Sequence, residues 1–374
     1  MHDLAFSIRT VRATCLRAPL DRPMRNAFGA IDNRPALLIE LELDDGVTGL
    51  GEVFCNFPVF SQFHKARIIN EMLGPMITGA SFDSPEAMSN HLARVTHRIA
   101  LQSGEPGPFS QVIAGLDVAA WDAVAQRAGT PLWRLLAPDA HSRVLTAYAS
   151  GIDSVDIQTL IPPLQQAGWR AYKLKVGFGA EEDRRGLGEL RAAAGPDASL
   201  MVDANQAWDF SEAERQIRLL ADEGLHWIEE PIAADRPSDE WSVLAEIGPA
   251  IAGGENIRGD DGFELAIDAG IEVLQPDVIK WGGISGTVRI AQMARKAGIL
   301  WAPHYLASGV GLAASAHVAV ACDAGFMEFD VNPNPLREGL LGGAVLVEDG
   351  QIHLADRSGH GAIPDPEVIA RYRV

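Results

Sequence analysis

The chain has 374 residues, of which 47% are hydrophobic and 22% charged, room enough for a barrel of about 250 residues with an appended module. No apolar run approaches the ~20 residues that span a bilayer, which argues against a membrane role. A formal net charge of −19 repels nucleic acid, whose binding needs Lys and Arg against phosphates, and obliges any acidic substrate to be held by local cations.

Met1 to Thr14 alternates apolar and polar residues like a strand and lacks the apolar core of a signal peptide, so a cytoplasmic location is expected. Ala36 to Leu43, the turn Asp44-Asp45-Gly46 and Val47 to Val53 read as a hairpin. From Ile68 to about Ala128 the periodicity becomes helical, with Val112, Ile113, Leu116, Ala120 and Trp121 on one face. Residues 1–130 are therefore read as a small α+β domain, packed directly on its C-terminal neighbour because no linker composition intervenes. The odd set Cys15, Cys55 and Cys322 has no metal spacing and suits buried free thiols in a reducing compartment.

From Arg143 onward, short β-branched runs alternate with helical stretches. The predicted strands are Val144 to Ala149, Ala171 to Val176, Leu200 to Ala204, His226 to Glu230, Ile251 to Glu255, Val273 to Pro276, Leu300 to Pro303 and Phe326 to Phe329. Such alternation predicts a parallel sheet, and eight strands predict a closed α/β barrel over residues 131–340. Short strands return at Val345 to Leu354, and residues 341–374 are expected to rejoin the first domain.

From the second strand on, each run ends in a polar or ionisable residue: Lys173 and Lys175, Asp203 and Asn205, Glu229, Glu255, Asp277, His304 and Glu328. Each set lies about one βα unit from the last, and in a barrel such ends converge on the face that carries active sites. Three carboxylates on consecutive strands, Asp203, Glu229 and Glu255, repel one another unless a divalent cation joins them. Hard oxygen ligands favour Mg²⁺, with Mn²⁺ as a substitute. Lys173 and Lys175 point to one face of their strand, and their mutual repulsion with partial burial is expected to lower one amine toward the range of a base, assigned to Lys175. Asp277 beside His304 would fix the imidazole tautomer and raise its basicity. No phosphate-binding loop, dinucleotide fingerprint or paired HxH is present.

The strings KLKVGFG from Lys173, VDANQAW from Val202, WIEEP from Trp227, GGEN from Gly253, QPDVIKWGG from Gln275, APHYLASGVGLAASAH from Ala302 and MEFDVNPNPLRE from Met327 resemble the mandelate racemase subgroup of the enolase superfamily. The segment GLDVAAWDAVAQRAGTPLWRLL from Gly115 resembles the capping-domain helix of that family, so the resemblance spans nearly the whole chain. It implies a (β/α)7β TIM-like barrel with an α+β capping domain, Mg²⁺ on Asp203, Glu229 and Glu255, and loss of the proton α to a carboxylate through an enediolate. It further implies that Lys175 serves one face of the α-carbon and the pair His304 and Asp277 the other, that Glu328 donates a hydrogen bond to a substrate carboxylate oxygen, and that Lys173 lies beside that carboxylate. Asp277 stands where the muconate lactonising subgroup has its second lysine, so Lys280 is read as facing elsewhere. Assembly as a dimer or octamer is also implied.

With bases on both faces, a β-hydroxyl leads to dehydration, its absence to racemisation or epimerisation, and a lactone oxygen to cycloisomerisation. Dehydration of a sugar acid is placed first, because acid-sugar dehydratases are the commonest members of the subgroup. Substrate choice is assigned to loops at about Leu20 to Asn33 and Val53 to Phe60, with Asn205, Arg25 and Phe57, together with Phe28, as candidate substrate contacts. The apolar second loop pulls toward a less hydroxylated acid such as an amino-acid derivative.

Overall fold

The computed structural model describes residues 3–26, 29–58, 60–139 and 144–374. Strands β1 (Phe6–Asn26), β2 (Gly29–Leu43), β3 (Thr48–Val53) and β4 (Ser81–Phe82) form an antiparallel sheet in the order β3-β2-β1-β4. The expected hairpin is β2-turn-β3, closed by the Leu43 N–H on the Val47 carbonyl at 2.8 Å, with Gly46 at φ +88°. Helices α1 (Ser61–Arg67), α2 (Gly74–Ile77), α3 (Pro85–Ser103) and α4 (Pro106–Arg127) cover one face of this sheet, and the short α5 (Leu132–Leu136) comes next in the chain. Ser84 caps α3 by accepting the Ala87 N–H at 3.1 Å, and Gly104 ends it in the left-handed conformation at φ +71°.

The periodicity expected for α4 understates its burial. From Val112 to Ala125 every residue is buried, because this helix lies between the capping sheet on one side and the barrel on the other. Gly49 and Gly51 allow β3 to approach α4 at backbone distance. A Cβ on Gly49 would stand 2.0 Å from the Ala119 carbonyl oxygen and 2.4 Å from the Ala123 nitrogen. Gly49→Ala is therefore expected to destabilise the fold by about 3 kcal/mol or more, read as a lowered denaturation midpoint, while Gly46→Ala at the open turn meets no atom within 4 Å and costs only its backbone strain.

The second unit is an eight-stranded parallel barrel. Its strands are β5 (Val144–Ile152), β6 (Ala171–Lys175), β7 (Ser199–Asp203), β8 (Leu225–Glu229), β9 (Ile251–Gly253), β10 (Val273–Leu274), β11 (Leu300–Trp301) and β12 (Met327–Asp330). The seven crossovers contain α6 (Ile157–Gln166), α7 (Ala180–Ala194), α8 (Phe210–Leu220), α9 (Ser238–Ala245), α10 (Asp260–Asp268), α11 (Gly283–Ala297) and α12 (Gly309–Ala321). The strands pair in sequence order from β5 to β11, and β12 returns to pair with β5. Outward residues such as Tyr172, Leu174, Val202 and Ile228 pack under the helices. Inward residues Tyr148, Ala171, Met201, Trp227, Ala252, Val273 and Ala302 fill the barrel's interior. One pleat further toward the C-terminal end, the inward positions are no longer apolar.

The segment after the barrel departs from expectation. After α13 (Pro335–Leu341), the hairpin β13 (Val345–Glu348) and β14 (Gln351–Leu354) adds to barrel strand β5 rather than to the capping sheet. Only α14 (Pro366–Tyr372) and its end return to the capping domain, where Val368, Ile369 and Tyr372 pack on Leu16, Ala18 and Leu38 and Arg373 bridges Leu16. β5 has this edge available because its first residues, Val144 to Thr146, lie outside its barrel pairings and pair with β14 instead. The three cysteines are free, and of these only Cys55 is fully buried. Among the described residues no helix is long and apolar enough to cross a membrane.

Candidate active site

Register places the ionisable row. Lys175 pairs with Asp203 across β6 and β7, and Asp203 with Glu229 across β7 and β8. Glu255 lies two residues beyond β9, which is shorter than its apolar run suggests. The chain leaves the sheet at Gly254 (φ +153°), where a Cβ would collide with the Gln275 backbone at 2.6 Å. Asp277 and His304 face each other as an isolated parallel bridge just beyond β10 and β11, and Glu328 stands on β12.

These side chains form one buried ionic network. Lys173, 0% exposed, holds Glu229 Oε2 at 2.6 Å and Glu328 Oε1 at 2.7 Å, with Asp203 Oδ2 at 3.8 Å. Lys175 Nζ holds Asp203 Oδ2 at 2.5 Å. His304 Nδ1 meets Asp277 Oδ2 at 2.7 Å and Nε2 meets Glu255 Oε2 at 2.8 Å. Gln275 Nε2 donates to Glu229 Oε2 at 2.6 Å.

The electrostatics correct one expectation directly. Burial lowers the Lys175 amine and Lys173 adds to that, but Asp203 and Glu229 together raise it, so the net direction is upward rather than toward a neutral base. For His304 burial again opposes the charge, and Glu255 followed by Glu328 lifts it well above the usual imidazole range. Burial opposes ionisation of Glu328, yet Lys173 and His304 hold it below the usual carboxylate range. Its Oε2 also accepts the Tyr305 N–H at 3.0 Å, so here both Glu328 oxygens accept. Acting as a donor would require a proton that burial favours and Lys173 opposes.

Glu229 behaves differently: burial, then the charge of Asp203, push it up to about 7. Two like charges at adjacent strand ends are thus incompletely neutralised by lysine, as their places on consecutive strands predict. Among the described residues no three acidic or histidine side chains converge tightly enough to grip a metal as they lie, because each carboxylate is turned to a cation. The donor set nonetheless fits a hard divalent ion: buried Asp203 and Glu229 and half-buried Glu255 on consecutive βα units, Glu229 destabilised by burial and by its neighbour. Asn205 adds a buried oxygen. Its backbone N–H and Nδ2 turn back to Asp203 at 2.8 and 3.2 Å, leaving Oδ1 buried with no donor.

A small cavity of about 30 Å³ opens among these groups, lined by Lys175, His304 and Glu328 from the barrel and by Met24, Arg25 and Ile31 from the β1-β2 hairpin, with Ser150 and Asp330 beside them. Arg25 does line this space, although its guanidinium is already engaged with Asp153 at 2.7 Å and Glu182 at 2.7 Å and stacks on Phe178 at 3.9 Å. Phe57 does not. It is 37% exposed and outside the lining, while its neighbours Phe54 and Cys55 are core residues. The apolar character of that loop therefore packs the domains together and does not shape the cavity between the bases. Phe28 lies outside the described residues.

Lys280 also needs correction. It does not face away, because its Nζ lies 3.6 Å from Glu255 Oε2, donates to Asn256 Oδ1 at 2.8 Å and sits over the Phe54 ring at 4.6 Å. Glu230, which sequence reasoning passed over, is buried behind Glu255 and takes both Asn256 Nδ2 and Gln206 Nε2 at 2.9 Å. Burial and then Glu255 raise it to about 8. The second acid of WIEEP was its only signal.

Comparison with known proteins accords with this geometry. The family model of the mandelate racemase / muconate lactonizing enzyme N-terminal domain matches residues 8–137, and that of the enolase C-terminal domain-like family matches residues 160–368. D-galactarolactone cycloisomerase from Agrobacterium fabrum is 30% identical over 99% of both chains. A mandelate racemase/muconate lactonizing enzyme from Bordetella bronchiseptica superposes with a TM-score of 0.90 at 39% identity, covering 98% of this chain and 99% of that one. An enolase from Bradyrhizobium, solved with magnesium and mandelic acid, superposes at 0.85 with 33% identity over 100% of both chains. Further relatives include acid-sugar dehydratases and L-Lys-D/L-Arg epimerase from Methylococcus capsulatus.

Proposed function

We propose a function from one premise: the chain belongs to the mandelate racemase and muconate lactonizing enzyme family of the enolase superfamily. It is an enzyme of the lyase or isomerase kind, removing the proton α to a carboxylate, and the substrate we assign is a sugar acid that loses water. The observation that carries this reading is the shared cavity, in which an amine from β6 and an imidazole from beyond β11 meet beside polar Ser150, Asp330 and Arg25. A less hydroxylated acid was favoured only by an apolar loop that this cavity does not include.

In this reading Asp203, Glu229 and Glu255 hold Mg²⁺, or Mn²⁺ in its place, which supplies positive charge against the substrate carboxylate as negative charge develops there. With Asp203 turned from the amine to the metal, Lys175 would lose the partner that holds it charged, and its neutral Nζ takes the α-proton. The electrons of that C–H bond form the enediolate and then the Cα–Cβ double bond as the Cβ–O bond breaks. The departing hydroxide takes the proton of His304 Nε2 and leaves as water, and the enol becomes a 2-keto-3-deoxy acid by tautomerisation. Asp277 holds the imidazole through Nδ1, Lys173 lies beside the substrate carboxylate, and Asn205 Oδ1 is an acceptor for a substrate hydroxyl. A lactone cycloisomerase is the second reading, favoured by D-galactarolactone cycloisomerase matching along its whole length. A cytoplasmic homo-oligomer completes the proposal.

The test is α-proton exchange in D₂O with Mg²⁺ over a library of sugar acids, sugar lactones, hydroxy acids and N-substituted amino acids, monitored by NMR and mass spectrometry. Loss of water from a sugar acid is the expected result. Ring opening of a lactone with deuterium uptake would favour the cycloisomerase, and exchange with inversion alone a racemase. A library in which nothing exchanges would overturn the reading.

A further inference from the structure

The segment Glu52 to Asn56, where β3 leaves the capping sheet, touches both arms of the His304–Asp277 pair. Glu52 is 1% exposed. Its Oε1 accepts the Ser308 N–H at 2.9 Å, and its Oε2 accepts the Ser308 hydroxyl at 2.6 Å and the Gly311 N–H at 2.7 Å. These donors open helix α12, four residues after His304. Asn56 Nδ2 donates to the Leu306 carbonyl at 2.7 Å, between the two. The Phe54 N–H donates to the Ile279 carbonyl at 3.1 Å, and the Ile279 N–H donates in turn to Asp277 Oδ1 at 3.0 Å.

The loop that carries His304 thus draws its support from both units. His304 N–H reaches Pro276 O at 3.1 Å, and Tyr305 braces the loop by bonding its hydroxyl to the Ala307 and Ser308 carbonyls. From the same unit the Tyr305 N–H also reaches Glu328 Oε2 at 3.0 Å and Asn334 Nδ2 donates to the Ala307 carbonyl at 2.9 Å, and the capping domain adds the bonds from Glu52 and Asn56. Lys175, by contrast, is the last residue of β6, a strand paired on both sides by barrel strands, and is itself in register with Asp203. A buried carboxylate with three donors is rigid, and removing one of its oxygens leaves donors unsatisfied.

We propose that Glu52 and Asn56 are positioning residues, a splint from the capping domain that sets the spacing of Asp277 and His304 and leaves Lys175 independent of it. The inference rests on reading His304 as the second catalytic group. It makes the two sides of the site unequal, one built by the barrel alone and the other shared with the cap.

The direct test observes the His304 Nδ1 proton that bridges to Asp277, by NMR of the full-length protein labelled at histidine and assigned by its loss in His304→Asn. In Glu52→Gln and in the milder Asn56→Ala, exchange of that proton with water is expected to quicken on the order of 10-fold, reporting local opening. Ser285→Ala serves as the control. Ser285 donates its N–H and hydroxyl to Asp117 of α4 at 3.0 and 2.6 Å, so it loosens the same domain seam away from the splint and should leave the signal unchanged. With the acid that exchanges in the library, Glu52→Gln should lower kcat about 10- to 100-fold, the scale of a misplaced catalytic group, with KM changed less than about 3-fold. An unaltered proton in both folded variants, or an equal change in Ser285→Ala, overturns the splint. If no acid exchanges in the wild type, the functional reading falls while the proton measurement still decides this inference.

Discussion

Lys175→Met is expected to lose both α-proton exchange and turnover by orders of magnitude, whereas His304→Asn is expected to lose turnover and keep exchange. The asymmetry arises from the order of events in a dehydration, where the amine acts at Cα before the imidazole assists departure at Cβ. General acid or base groups contribute roughly 10²–10⁴-fold, and losses of that size are expected for turnover in each variant. Methionine keeps the length of the lysine stem without its charge, so packing within β6 is preserved while Asp203 Oδ2 loses its 2.5 Å partner. Deuterium uptake measured by NMR separates the cases. If Lys175→Met exchanged within about 10-fold of wild type, the amine would not be the base. If instead each variant kept exchange on one enantiomer only, the reaction would be a racemisation.

The second large effect concerns the carboxylates. Chelation is expected to remove activity completely and Mg²⁺ to restore it, and the same metal should raise the thermal midpoint. A ligand at 100 times its Kd stabilises the folded state by about 2.7 kcal/mol, and here it also offsets the burial and the charge of Asp203 that lift Glu229 to about 7. Glu229→Gln removes one of the repelling charges, so the metal-free protein should lose little stability, or gain some, while its response to Mg²⁺ is greatly weakened. Glu255→Gln should be worse tolerated, since it leaves Lys280 and His304 without the carboxylate that both approach. Thermal denaturation with and without Mg²⁺ measures this without reference to activity. An unchanged midpoint in the wild type on adding metal would contradict the assignment of all three ligands.

The barrel was legible because buried parallel strands read as apolar runs, so that a polar ending on each run stands out. Register then did the rest, bringing Lys175, Asp203 and Glu229 into one row. What escaped the sequence was everything decided by partners from elsewhere in the chain. Glu52 comes directly after a glycine at the end of a half-polar strand and looks like a surface acid, yet its three donors lie more than 250 residues away. Lys280 was judged by its offset from the position of a catalytic lysine, but the turn after Asp277 brings it back to Glu255. Phe57 was placed over the pocket because its loop was expected to fold over the barrel mouth, and the sequence cannot tell an apolar loop that seals a domain interface from one that meets a ligand. The direction of the Lys175 shift was missed for the same reason: repulsion by Lys173 is visible within β6, whereas the stronger attraction of Asp203 comes from the next strand.

The contact between Lys173 and Glu328 carries a consequence for how the barrel winds shut. Into and along β12, Phe326 just before the strand and Glu328 within it face inward while Met327 and Phe329 pack under the helices. A strand that docked one residue out of place would reverse every side chain, driving Glu328 into the hydrocarbon layer beneath the helices and leaving Lys173 without its 2.7 Å partner. A buried charge deprived of its partner costs about 3–5 kcal/mol, enough to reject the slipped closure. The pair therefore proofreads the final strand, admitting β12 beside β5 only in the alignment that also completes the pocket.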